Sequence, residues 1–349
     1  MTALPETISP VRRGSPFTTA AWGVLLLAAV LSSLVFAVTI GPAPLSAGDV
    51  FASVRAHLGL GESALSAIQD GIVWELRMPR VLTAAAVGAG LALCGAVMQA
   101  LTRNPLADPY LLGLSSGASV GAVVVIVLGA AVVLPLAAFA GALAALGATL
   151  GLARTAGALT PTRTVLAGLA VSSVFGAVTS LIIFWSATGD SYREILSWLL
   201  GSLAGTDWGS VQLAGGALLV VGLPLLASAR ILDAFAFGDR AAAALGIDVG
   251  RSRALLLTGT ALLTGALVAV SGSIGFVGLI LPHAVRLLVG ARHRALLPLS
   301  ALAGALFLIW ADTAARTVFD PRELPVGIIT ALVGGPVFAI ILMRSRSVQ

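Results

Sequence analysis

The stretch Arg230 to Arg253 reads RILDAFAFGDRAAAALGIDVGRSR, and it is the one long interruption in a series of apolar segments. Good helix formers run from Ala234 to Leu245. Phe235, Phe237, Ala241, Ala244 and Leu245 fall loosely on one side, with Asp239 and Arg240 on another. Gly246 is a stop signal. About twelve residues cannot cross a bilayer, which takes about twenty, so the stretch predicts a surface helix held between two spans. Such a helix can lie flat on lipid headgroups, or it can dock a soluble partner.

Working outward, the composition places the chain in a membrane. Hydrophobic residues make up 58% of its 349 residues, charged residues 10%, and mean hydropathy is +1.04, far from an ordinary soluble domain. All twenty basic residues are Arg. Without a Lys the chain cannot form a P-loop, whose Lys reaches the phosphates, so any ATP that drives it binds another chain. Cys94 is alone, which excludes an intrachain disulfide. His57, His283 and His293 are scattered and predict no metal site. The net charge of +5 comes from Arg at span ends, not from a basic patch of the kind that binds nucleic acid.

The apolar runs are Ala20 to Ile40, Val81 to Leu101, Leu111 to Gly129, Leu134 to Ala153, Thr164 to Ala187 and Gly209 to Ala229. After the central stretch come Ala254 to Ser271, Ile274 to Val289, Leu296 to Ala311 and Val326 to Met343. They predict an all-α polytopic membrane protein of about ten spans in one bundle. Residues 1–19 form a cytoplasmic tail and 20–346 a single transmembrane domain. With the N-terminus inside, fourteen Arg fall on cytoplasmic segments and six outside (Arg55, Arg77, Arg80, Arg193, Arg316 and Arg322). That bias puts both termini and the central helix in the cytoplasm. Gly147 and Gly151 form a G-x-x-x-G of the sort that packs helices closely.

Four motifs mark the span ends. Arg77 to Arg80 reads RMPR, with Arg316 as a counterpart at the outer end of the ninth span; these are snorkelling anchors or a cationic rim for carboxylates of an external partner. Arg103 to Pro109 reads RNPLADP, in which Asn104, Pro105 and Pro109 make a tight turn. Gly272 to Arg286 reads GSIGFVGLILPHAVR, a short outside turn followed by a span that Pro282 bends. Glu323 to Gly327 reads ELPVG and enters the last span through Pro325. Asp312 pairs with the nearby Arg316 in this reading.

In order, R-x-P-R, G-A-x-L-A-x-x-G-x-x-x-Q (Gly88 to Gln99), R-N-P-L-A-x-P, G-x-I-G-F-V-G-L-x-x-P-H, H-R-x-L-L-P and E-L-P-V-G resemble the FecCD-type permeases of type II ABC importers, from about Trp74 to Arg344. Cys94 stands where a small residue such as Ser is common. The resemblance implies a ten-span permease fold in a bacterial cytoplasmic membrane, surrounded by lipid. It implies a second permease copy (identical or a close paralogue), ATP-binding cassette subunits and a substrate-binding protein. Coupling to the ATPase would fall to Phe237, Gly238, Asp239, Arg240, Ala243, Leu245 and Gly246. Docking of the binding protein would fall to Arg77, Arg80 and Arg316. No catalytic residue, metal or directly bound cofactor is expected. Iron-siderophore is the expected cargo, with haem or cobalamin as alternatives. An ion-coupled secondary transporter would need membrane-embedded ionisable groups beyond Asp312. An intramembrane enzyme would need clustered carboxylates, and no such cluster is present.

Overall fold

The computed structural model describes residues 16–345 except 63–64, 131–133, 156, 158, 187 and 320. Most of the predicted tail, with Arg12 and Arg13, lies outside these. The described chain is helical throughout. In order it forms α1 (Pro16–Thr39), α2 (Ala47–His57), α3 (Ala67–Thr102), α4 (Leu114–Val127), α5 (Leu134–Thr155), α6 (Pro161–Ser186) and α7 (Gly189–Leu200). There follow α8 (Trp208–Ala227), α9 (Ala229–Ala236), α10 (Asp239–Ala244), α11 (Val249–Ser271), α12 (Val277–Val289), α13 (His293–Ala315) and α14 (Val326–Ser345). Seven helices, α1, α3, α5, α6, α8, α11 and α13, are long and apolar enough to span a membrane; three shorter apolar ones are α4, α12 and the apolar part of α14. These ten coincide with the ten apolar runs.

The core is built on α3, whose residues from Val87 to Leu101 are all buried. Bare backbone makes this closeness possible. A Cβ on Gly88 would collide with the carbonyl oxygen of Gly304 in α13, and one on Gly95 with that of Gly278 in α12. The expected Gly147 and Gly151 pair has no neighbour within 4 Å of either Cβ position. Spacing on one helix predicts a groove but not a partner, and here the bundle closes through other glycines.

Two of the ten helices stop short of the full hydrocarbon thickness. At 14 and 13 residues, α4 and α12 are about 20 Å long, too short for a hydrocarbon core of about 30 Å. The segment Gly272 to Phe276, expected as an outside turn, is instead enclosed: Ile274 is 1% exposed, its carbonyl accepts from the Tyr110 hydroxyl (3.0 Å), and Ser273 bonds Ser115 (2.7 Å). It leads into Gly278, which meets α3 at Gly95, about 25 Å of helix below Met78. Irregular backbone at such depth is tolerated because surrounding protein meets its polar groups. Pro109 to Leu112, a 3-10 turn capped by Asp108, precedes α4 in the same manner.

The order long helix, half helix, long helix and a fourth helix therefore occurs twice, as α3 to α6 and, with the 20-residue α14 in last place, as α11 to α14. α3 packs on α13 and α11 on α5; the half helix α12 packs on α3 of the other set, whereas α4 packs mainly on α5 and α6 of its own set and touches α11. Two further elements escaped the apolar-run reading. One is α2, whose Ser46 and Asp49 form a capping box. The other is α7, which ends at Gly201 against Ser273 and α14, where the Gly327 amide bonds the Gly201 carbonyl.

Candidate partner-docking surfaces

At one end of the bundle the predicted helix from Ala234 to Leu245 is in fact two. α9 stops at Ala236 and α10 starts at Asp239, with Gly238 between them at φ 96°, ψ 164°. That backbone region is essentially open to glycine alone. Gly238 therefore does not merely precede a helix; it turns the chain so that α10 leaves at an angle to α9.

The joint is held from three sides. The Asp239 carboxylate accepts from both terminal nitrogens of Arg253 in α11, at 2.7 and 3.1 Å, and Arg253 also donates to the Leu159 carbonyl (3.1 Å) and lies over the Phe235 ring. The hydrogen bonds from Arg253, followed by its charge and that of Arg103, keep the Asp239 carboxyl below its usual range. In α9, Asp233 accepts from the backbone amide of His293 (2.9 Å) and pairs with its Nδ1 (2.7 Å), which ties α9 to α13. Arg103, the left-handed C-cap of α3, reaches within 3.2 Å of where a Cβ on Gly238 would stand.

What faces outward is apolar. Phe237 is 80% and Leu245 70% exposed, and Arg240, Ala243 and Gly246 are exposed beside them. Of the seven residues expected here, these five form the surface, whereas Gly238 and Asp239 hold it in place. Sequence reasoning missed the holders Asp233, Arg253, His293 and Arg103, which lie on other elements; the pairing of Asp239 with Arg253, fourteen residues on, carries no periodic signal. Asn104 folds its own turn, its Oδ1 accepting from the Leu106 amide (2.9 Å), and leaves Leu106 41% exposed.

At the opposite end the three Arg residues do not form an open rim. Arg77 is 6% exposed and donates to the carbonyls of Val38, Thr39 and Ala43. Arg316 is 8% exposed and donates to the Ala37 carbonyl. Arg80 grips Asp312 with Nε and Nη2 (2.9 to 3.1 Å) and Glu323 with Nη1 (2.7 Å). The buried Asp312 thus pairs with Arg80, not with Arg316 as expected. In this conformation the guanidiniums are engaged inside the chain because carbonyls at the end of α1 and a buried carboxylate would otherwise lack donors. Among the described residues, Arg55, Arg193 and Arg322 are exposed cations at this end.

The remaining turn residues are structural. Pro109 abuts Gly278, Pro282 lies within α12, and Pro325 accepts from the Ile328 amide at the start of α14. Among the described residues no group of His, Cys, Asp and Glu could hold a metal, and Cys94 is buried.

A bundle of ten apolar helices, two of them half helices with buried approach segments, and a pinned knuckle with exposed apolar side chains at one end, is the architecture of a polytopic membrane protein. The chain belongs to the FecCD transport family, whose model matches residues 25–344, and is the permease of a type II ABC importer. It is 44% identical to a cobalamin import system permease of Halobacterium salinarum, with 95% of this chain and 96% of that protein covered. It is 42% identical to a hemin transport system permease of Yersinia pestis, over 78% of this chain and 84% of that one. A solved ABC transporter described as metal-chelate type and inward-facing superposes with a TM-score of 0.83 at 31% identity, covering 93% of this chain and 99% of that one.

Proposed function

We propose that this permease imports a bulky metal chelate through a bacterial cytoplasmic membrane, driven by ATPase subunits that grip the Phe237–Leu245 knuckle. The observation that carries the coupling is the contrast at Gly238: two large apolar side chains stand exposed on a joint that is pinned to α3, α11 and α13. A surface inserted into headgroups needs no such pinning, whereas a surface that transmits force does. The Arg count supports a cytoplasmic place for this end and for both termini. A binding protein delivers cargo at the Arg80 end, and a second permease copy completes the pathway.

Within metal chelates, the cargo we favour is a cobalamin-class corrinoid, supported by likeness to a cobalamin permease over nearly the whole of both chains. Iron-siderophore, expected from the sequence, is the second reading, supported by likeness to the metal-chelate type transporter. ATP-driven uptake of cyanocobalamin, haem and ferric siderophores into proteoliposomes holding the complete transporter tests both. Uptake of cyanocobalamin alone supports the first reading, and uptake of a ferric siderophore alone overturns it.

A further inference from the structure

We propose that the groove between α1, α12, α13 and α14 is a binding site for one phospholipid acyl chain, drawn from the leaflet at the Arg80 end. The cavity is about 470 Å³, with Leu26 of α1, Leu281 of α12 and Val333 of α14 among its walls. Along α13 its wall runs from Ala303 through Phe307 and Trp310 to Ala314. Those eleven steps of helix make about 16 Å, and half of a hydrocarbon core of about 30 Å is about 15 Å. The groove therefore has the length of one leaflet.

Its upper end lies at headgroup level. Ala311 and Ala314 flank Asp312, which pairs with Arg80 and through it joins Glu323, 48% exposed. Trp310 stands there 42% exposed, its indole N–H donating to the Ser33 hydroxyl at 2.9 Å, as befits an aromatic ring at a membrane interface. Because that N–H is already used, the groove offers an occupant no polar partner, and its other walls are hydrocarbon. A polar cargo or a headgroup finds nothing to bind; a hydrocarbon chain does. On either side of the groove the exposed side chains are apolar too: α1 presents Val24, Leu25 and Leu31, each more than half exposed, and α14 presents Leu332 at 65%. A chain seated here bridges α1 to α14 and makes the position of α14 depend on lipid.

The test uses the complete transporter in vesicles of phosphatidylethanolamine and phosphatidylglycerol whose acyl chains carry a diazirine. After irradiation, label is mapped by mass spectrometry. Residues 303–314 and 329–333 should carry several-fold more label than the α1 face at Val24, Leu25 and Leu31. Ala303→Phe and Val333→Phe should each lower that excess several-fold while labelling of α1 stays constant. Groove labelling no denser than on α1, or an excess unchanged in both filled variants, would overturn the proposal. So would efficient cross-linking of Val333→Cys to a second permease copy, which would make the groove a subunit contact; the native Cys94 is buried and does not compete.

Discussion

Arg80 and Asp312 set the most demanding electrostatics of the chain. Asp312 is 1% exposed, and stripping a buried carboxylate of its cation costs about 3–5 kcal/mol. Arg80→Ala is therefore expected to lower the unfolding temperature sharply, while the double variant Arg80→Met with Asp312→Leu recovers most of the loss, as thermal unfolding of the purified complex would reveal. If the single variant were as stable as the parent, the pair would not hold the fold. At the other end, Asp239 contributes through its bonds to Arg253, and Asp239→Asn should cost about 2 kcal/mol. Because the folded state depresses the Asp239 carboxyl, this contribution is complete above the ordinary carboxylate range. It fades as pH falls through the lowered value, so its loss is confined to pH below about 4. Between pH 6 and 8 the difference between parent and Asp239→Asn should stay flat; a slope there would point to another group.

Among the elements, the α9–α10 joint and the α3–α13 contact rest on glycine for different reasons. Gly238→Ala forces a side chain into a backbone region that costs about 1–3 kcal/mol and crowds Arg103. The expected result is a folded permease whose ATP hydrolysis is less well coupled to uptake, read as cargo moved per ATP. Gly88→Val meets the α13 backbone and should abolish assembly of the bundle, whereas Gly147→Ala, facing open space, should leave the subunit's fold intact; comparing monodispersity of the two variants after extraction separates them. The sequence distinguishes these glycines poorly. Apolar runs located the spans well because about twenty hydrophobic residues in water have no other stable place. The same rule hid the half helices α4 and α12, since the apolar residues just before them, Leu111 and Leu112 or Ile274 and Phe276, extend their runs toward span length. It also hid α7, which is amphipathic and short. The knuckle was legible as a charged interruption, yet its break at Gly238 was not, because glycine after a helix former reads equally as an interior residue or a turn. The engagement of Arg77, Arg80 and Arg316 within the chain was hidden for a further reason: charge in a sequence does not say whether it faces solvent or a carbonyl thirty-nine residues away, as Arg77 does toward Val38.

At the scale of the whole molecule, two similar sets of four helices meet where α3 packs on α12 and α13 and where α11 packs on α5, and the Gly238 end is tied by Asp239–Arg253 and Asp233–His293 to α11 and α13. A push on Phe237 and Leu245 would then reach both sets together, which suits a carrier that opens alternately to each side. The proposed drive for this carrier is an ATPase that grips that knuckle. The most direct measurement is chelate uptake alongside ATP hydrolysis in proteoliposomes containing the full complex, with Phe237→Asp and Leu245→Asp compared with the parent. Both side chains are exposed, so the fold should survive. The account predicts that uptake falls at least tenfold in each variant while the subunit remains folded. Uptake at the parental rate in both variants, or uptake by the permease alone down an ion gradient, would contradict it.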